Sequence, residues 1–332
     1  MKRKKTISVI INIALLIVIG WGIYGVSQVA EDFIYWKLSN PDSYLARLKI
    51  EQRLFIKEHQ PIRNWLIEEP EFQAQSVLVV EITPNQNRVL FAKNDQYPFV
   101  IASLTKLMTA MIAVDHYPLD RSVRISEEAV NQSGEAGLLG EGDIWTVQDL
   151  LRMSLMESSN DAAYALAETM GVSQFVKNMN QKAVALGLDQ TTFVNPTGLE
   201  EARGTNLSSS CDLVQLTHYL LETPSYQTIE EMIGSPEFQL LTPEGHFHHL
   251  IINSNDLLGK FSYLIGGKTG YLPRHGGSLL SIFQQPGKET YLIVIVLDSP
   301  DRFQETQDLI QWLPSAYLYL FNYGSTNSSN ND

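Results

Sequence analysis

The apolar residues change their period twice along this chain, and that pattern limits the folds open to it. Val77 to Ile82 and Arg88 to Ala92 are short β-rich runs joined by a Pro-Asn-Gln-Asn turn. From Ile101 to about Leu221 the spacing is mostly helical, and after Ser235 it returns to a strand-like alternation. Phe238 to Leu241, Phe247 to Ile252, Ser278 to Phe283 and Tyr291 to Leu297 all read as strands, with Pro-Glu-Gly and Pro-Gly-Lys as turns. Strands early and late with helices between them describe an α+β fold. One antiparallel sheet, packed with helices, is built from both sequence halves and encloses a mostly helical subdomain.

Local signals place the helices. Thr146 and Asp149 resemble a capping box that opens a helix with Leu150, Leu151, Leu155 and Met156 on its apolar side. That helix stops at Ser158 to Asn160, a second runs from Asp161 to Met170, and a third from Ser173 to Leu186 ends at Gly187 in a left-handed cap. Ser209 and Ser210 cap a further helix from Cys211 to about Leu221. Asp301 to Leu320 reads as a final helix that Pro314 kinks or splits. Residues 321–332 are Ser/Asn-rich and read as a disordered tail.

The N-terminus has a different character. Thr6 to Ala30 contains no Asp, Glu, Lys, Arg or His, and its apolar run matches a helix spanning a hydrocarbon core. Lys2, Arg3, Lys4 and Lys5 precede it, so residues 1–5 are expected in the cytoplasm and the rest of the chain outside. A cleaved signal peptide competes with this reading, but no good small-residue cleavage site lies near Gly25 to Ala30. The expected organisation is a transmembrane anchor over 6–30, a juxtamembrane stalk over 31–71, and a catalytic domain over 72–320. The localisation is then a single-pass cell-membrane protein with its catalytic domain extracytoplasmic. Without the basic cluster, 20 Lys and Arg stand against 37 Asp and Glu, a balance that argues against nucleic acid as a partner. Cys211 is the only cysteine, so no intrachain disulfide forms, and its apolar helical context suits a buried thiol.

Chemistry is suggested first by Ser103 and Lys106. Residues at i and i+3 share a helix face, so the amine reaches the hydroxyl if a helix begins near the serine. There the positive end of the helix dipole also favours an oxyanion. Ser-x-x-Lys is nonetheless a pair of common residues, and Ser158-x-Asn160 is weaker still, since Ser325/Asn327 and Ser328/Asn330 match it in the tail. The third stretch, Lys268-Thr269-Gly270, occurs once, on or beside a strand, with glycines on both sides that admit close approach. The three motifs in this order resemble the penicillin-recognising serine enzymes. Their flanks (ASLTKLMTA, LLRMSLMESSNDAAYALAE, FVNPTGL, GGKTGY) are similar to those of the D-alanyl-D-alanine carboxypeptidases, the low-molecular-mass penicillin-binding proteins, over roughly residues 72–318.

That resemblance implies a β-lactamase/DD-peptidase-like fold and a serine-type carboxypeptidase. Its substrates would be peptidoglycan stem peptides ending in D-Ala-D-Ala, its inhibitors β-lactam antibiotics, and it would need no cofactor or metal. It implies Ser103 as nucleophile, Lys106 as its base, Ser158 as proton relay and Asn160 as a holder of Lys106 and the substrate amide. Lys268, Thr269, Gly270 and Tyr271 would bind substrate, with Lys268 charged to hold its carboxylate. The backbone N–H groups of Ser103 and Tyr271 would form the oxyanion hole. Asp161 reads as an N-terminal helix charge. His246, His248 and His249 have no carboxylate or cysteine at supporting spacing, so they read as solvated or core histidines rather than metal ligands. A DD-endopeptidase or a β-lactamase would share the fold and motifs, although class A β-lactamases use a further loop glutamate that Asn195 to Leu199 does not offer. A non-catalytic cell-wall-binding scaffold is the reading from another class, and the retention of every reactive side chain speaks against it.

Overall fold

The early and late strand runs meet in one five-stranded antiparallel sheet. The computed structural model describes residues 61–318 except 135 and 203, together with Val26, Ala30, Lys49, Phe321 and Tyr323. The strands are β1 (Ser76–Thr83), β2 (Gln86–Lys93), β5 (Leu264–Leu272), β6 (Gly276–Gln284) and β7 (Tyr291–Ser299). Their spatial order is β5-β6-β7-β1-β2, so the two sequence halves join where Val294 of β7 pairs with Val79 of β1. The central strands read as nearly continuous apolar runs because both of their faces are covered. On one face Leu78, Val80, Ile293 and Ile295 join the large helical core, while the alternate residues Val77, Val79, Val294 and Val296 are equally buried.

Helix α1 (Thr105–His116) lies deepest, with every residue from Thr105 to Ala113 buried. It is sheathed by α2 (Val147–Leu155), α3 (Asn160–Glu168) and α4 (Val172–Ala185). The start and stop signals act as their chemistry requires. Thr146 Oγ1 accepts from Asp149 N, and Ser159 Oγ accepts from Ala162 N. Gly187 closes α4 at φ +68, with Leu188 N reaching back to Ala183 O. Helix α5 (Ser210–Glu222) packs on β1 and β7, followed by α6 (Gln227–Gly234) and, after the sheet, α7 (Arg302–Ala316) on β6 and β7. Cys211 is half-buried in the first turn of α5.

Two expectations need correction. β3 (Glu237–Leu241) and β4 (Phe247–Ile252) form a separate two-stranded hairpin, outside the main sheet. Only Leu240 and Ile251 are fully buried in it, so one face stays wet, whereas a central strand must be apolar on both. The last helix ends at Ala316 rather than Leu320, and Pro314 lies inside it. A proline within the final turn removes a single ladder bond, which the helix survives by stopping two residues later.

The chain divides by its contacts into residues 64–316 with 321–332, which hold all of these elements, and residues 1–63 with 317–320. In the second unit Ile62–Arg63 pair antiparallel with Tyr317–Leu318. Apart from Val26 and Ala30, the expected membrane span over 6–30 lies outside the described residues, as does most of the stalk. Among the described residues no helix is long and apolar enough to cross a membrane. Of residues 321–332 only Phe321 and Tyr323 are described, and Tyr323 is buried against Phe283 and Phe321.

Candidate active site

Ser103 lies in a 3-10 turn (Ala102–Leu104) that runs directly into α1. The turn is bent sharply: Ala102 holds φ +46, a left-handed conformation that an alanine adopts only when its surroundings require it. Two glycines supply those surroundings. A Cβ on Gly198 would fall 2.0 Å from Ala102 O, and one on Gly270 would fall 3.2 Å from Ser103 N. The loop at Gly198 and the edge strand β5 therefore press against the serine turn from two sides, at a distance only glycine permits for Gly198 and a tight one for Gly270.

Lys106 is fully buried one helical turn later. Its Nζ lies 2.8 Å from Ser103 Oγ, 2.6 Å from Asn160 Oδ1 and 2.8 Å from the Thr197 carbonyl oxygen. Burial holds its pKa well below the usual lysine value, and the charge on Lys268 lowers it further. A neutral amine has two hydrogens and one lone pair. The two acceptors Asn160 and Thr197 take the hydrogens, which turns the lone pair toward the Ser103 hydroxyl.

Both acceptors are themselves fixed. Asn160 opens α3, and its Nδ2 donates to Ser133 O, so its Oδ1 must face Lys106. Asn195 Oδ1 accepts from Thr197 N and Gly198 N, and Asn206 Nδ2 ties Asn195 O to Thr105 Oγ1. The loop that presents the Thr197 carbonyl is thereby anchored to the first residue of α1. Spacing between the three motifs did not reveal this carbonyl, although the glycine in the Asn195 to Leu199 loop was its visible trace.

Across the site, Lys268 on β5 is also buried. Its Nζ lies 3.0 Å from Ser158 Oγ and 3.1 Å from Thr269 O, while the Thr269 and Ser254 hydroxyls are hydrogen-bonded to each other. Burial depresses the Lys268 pKa to about 7, with the Arg302 guanidinium adding to the effect. Lys268 is thus poised between its two forms near neutrality, which differs from the permanently charged lysine expected from the motif. Arg302, a lone arginine at the start of α7, had no sequence signal; its side chain lies close over Gly277 on β6, and its Nε is buried without a partner. Tyr271 follows Gly270 on the edge strand with its ring 60 % exposed, at the open side of the site.

Asp161 stands in the first turn of α3 as expected, but burial raises its carboxyl to about 6. The three histidines separate: His246 is exposed, while His248 and His249 are half-buried, and His249 meets the carboxylate of Glu157, 92 residues away in the chain. No cluster of three or more metal-ligating side chains is present among the described residues.

Known proteins are similar to this chain over most of the described residues. DacF, a D-alanyl-D-alanine carboxypeptidase of Bacillus subtilis, is 34% identical over 206 residues, covering 60% of this chain and 51% of the relative. This chain therefore spans about half of DacF's length. A D-alanyl-D-alanine endopeptidase of Pseudomonas aeruginosa is 31% identical over 256 residues, covering 75% of this chain and 79% of the relative. Among solved structures, penicillin-binding protein D2 of Listeria monocytogenes in its ampicillin-bound form superposes with a TM-score of 0.61 at 27% identity. That match covers 74% of this chain and 99% of the other. The D-alanyl-D-alanine carboxypeptidase family of peptidases, S11, matches residues 64–301, a span that holds the Ser103 turn, both buried lysines and the edge strand, and the chain belongs to this family.

Proposed function

We propose that this protein is a serine-type D-Ala-D-Ala carboxypeptidase that trims the terminal D-alanine from peptidoglycan stem peptides and is acylated by penicillin. The observation that carries this reading is the hydrogen-bond set of Lys106: two fixed acceptors and one hydroxyl around a buried amine. Such an amine is placed to take the proton of the Ser103 hydroxyl in the first step.

In the reaction, Ser103 Oγ attacks the carbonyl carbon of the penultimate D-alanine while its proton passes to Lys106 Nζ. The negative charge on the carbonyl oxygen meets the backbone N–H groups of Ser103 and Tyr271. The C–N bond breaks, and free D-alanine leaves as its nitrogen takes the proton that Lys106 accepted, relayed through Ser158, which Lys268 contacts. Water then attacks the Ser103 ester, the again neutral Lys106 accepts its proton and returns it to Ser103 Oγ as the ester bond breaks, and the shortened peptide departs. Lys268 and Thr269, with Gly270 and Tyr271 along the edge strand, receive the terminal carboxylate and the peptide backbone. A β-lactam follows the same first step, but its amine stays tethered and the ester persists.

The carboxypeptidase relative and the ampicillin-bound neighbour support this reading. An endopeptidase relative favours one second reading, in which the leaving amine belongs to a cross-linked peptide. We place the enzyme outside the cell membrane, anchored by residues 6–30 and held off by 31–71, with 72–320 as the catalytic domain. The charge-free run after Lys2 to Lys5 supports that placement. Intact-mass measurement of the full chain isolated from membranes, with and without benzylpenicillin, tests both parts. One stable adduct on a protein that retains residues 6–30 is expected; no adduct overturns the mechanism, and loss of those residues overturns the anchor. Incubation with a D-Ala-D-Ala peptide and with a cross-linked dimer then separates carboxypeptidase from endopeptidase.

Two further outcomes follow from the site. Lys268 binds a carboxylate only while protonated, and its pKa is about 7. KM for a peptide with a free C-terminal carboxylate is therefore expected to rise about tenfold per pH unit once the pH is well above 7. A C-terminally amidated peptide should show no such rise. At Gly198 the backbone sits at φ +89 and a Cβ has no room. Gly198→Ala is expected to lower stability by at least about 2 kcal/mol and to slow penicillin acylation by about a hundredfold, read by thermal melt and adduct formation rate.

A further inference from the structure

Ser158 holds φ +67, a conformation a serine keeps only where its surroundings over-determine it. Two backbone bonds act beside it. Ser159 N donates to Met153 O at 3.0 Å, and Ser254 N donates to Met156 O at 2.8 Å. The third restraint comes from side chains. Glu157, the residue before Ser158, meets His249 Nε2 at 3.1 Å, and each side chain is only 13% exposed. His249 Nδ1 lies 2.7 Å from His248 Nδ1, so the two imidazoles are hydrogen-bonded to each other. The His248 ring in turn packs edge-on against buried Trp145, 5.0 Å between centroids. A rigid line thus runs from Trp145 through two imidazoles to the residue that precedes Ser158. The β3–β4 hairpin that supplies these histidines stands apart from the main sheet.

We propose that His249 and Glu157 are positioning residues for Ser158. The hairpin is a brace that keeps Ser158 Oγ at Lys268 Nζ and so sets how fast the leaving amine is protonated. This rests on the proton-relay role given to Ser158 above. Residues that merely stabilise the fold would affect all substrates alike; a brace for the relay affects only those whose leaving group needs a proton.

The test compares kcat/KM for an acyl-D-Ala-D-Ala peptide with that for the matching thioester, whose thiolate departs without protonation. The full chain carries His249→Phe, which keeps a ring but removes the donor, Glu157→Ala, or His249→Gln, whose amide N–H replaces the lost donor. The first two variants are expected to lose about tenfold on the peptide and less than about twofold on the thioester, and His249→Gln to recover most of the loss. Equal losses on both substrates, no loss on the peptide, or loss of a cooperative melt in His249→Phe would each overturn the proposal. A wild-type chain that forms no penicillin adduct and releases no D-alanine would instead overturn the underlying reading of the site.

Discussion

Ser103→Ala is expected to abolish the penicillin adduct outright and to reduce D-alanine release by on the order of 10⁴ or more. Among the described residues the Ser103 hydroxyl is the one side-chain hydroxyl hydrogen-bonded to Lys106 Nζ, at 2.8 Å; its other partners are an amide oxygen and a backbone carbonyl. Binding should outlast chemistry, because Lys268 and Thr269 are untouched. The fold should also persist: Ser103 is half-buried, and Lys106 keeps Asn160 and Thr197 as partners. The melting temperature is therefore expected to stay within a few degrees of wild type. An adduct of full occupancy on the variant, mapped by peptide mass to another residue, would sink the assignment of the nucleophile.

Lys106→Met is expected to slow acylation by on the order of 10³, measured as the rate at which the penicillin adduct appears. Here the loss is kinetic rather than absolute, since the hydroxyl remains and an adduct forms after long incubation. Lys106→Arg separates two explanations. An arginine keeps the positive charge and several donors but does not give up its proton in a protein. If Lys106 acted as a cation, the arginine variant would retain much of the rate. In the proposed mechanism burial and Lys268, which hold the amine well below its usual pKa, favour a base that gives and takes its proton, so the arginine variant is expected to be as slow as the methionine one.

Much of this site was legible before folding was considered. Ser103 and Lys106 share one helix face at any i, i+3 spacing, and the break at Ser158 to Asn160 followed from its serines and its place between two apolar helical runs. The strand around Lys268 was signalled by glycines, and Gly270 indeed allows β5 to approach the serine turn. What could not be seen were the partners that carry no residue-type signature. The Thr197 carbonyl is a backbone group common to every residue, and Arg302 is one arginine among many. Glu157 carried no signal of its own in the sequence, and only the fold places His249 of β4 over it. The expectation that the β3 and β4 runs belong to the main sheet failed for a related reason. Alternation shows that a segment is extended, but only burial on both faces shows that it is central.

The sequence by itself determined the elements and the chemistry available: strand and helix periods, caps at Thr146, Ser209 and Gly187, and two serines, two lysines and an asparagine in family order. Only the tertiary structure decided their state. It lowers the pKa of Lys106 well below its usual value by burying it near Lys268, brings Lys268 to about 7 beside Arg302, and holds Ser158 at a positive φ. Protonation and strain depend on desolvation and on distances between charges, and those quantities exist only once residues far apart in the chain have been packed together.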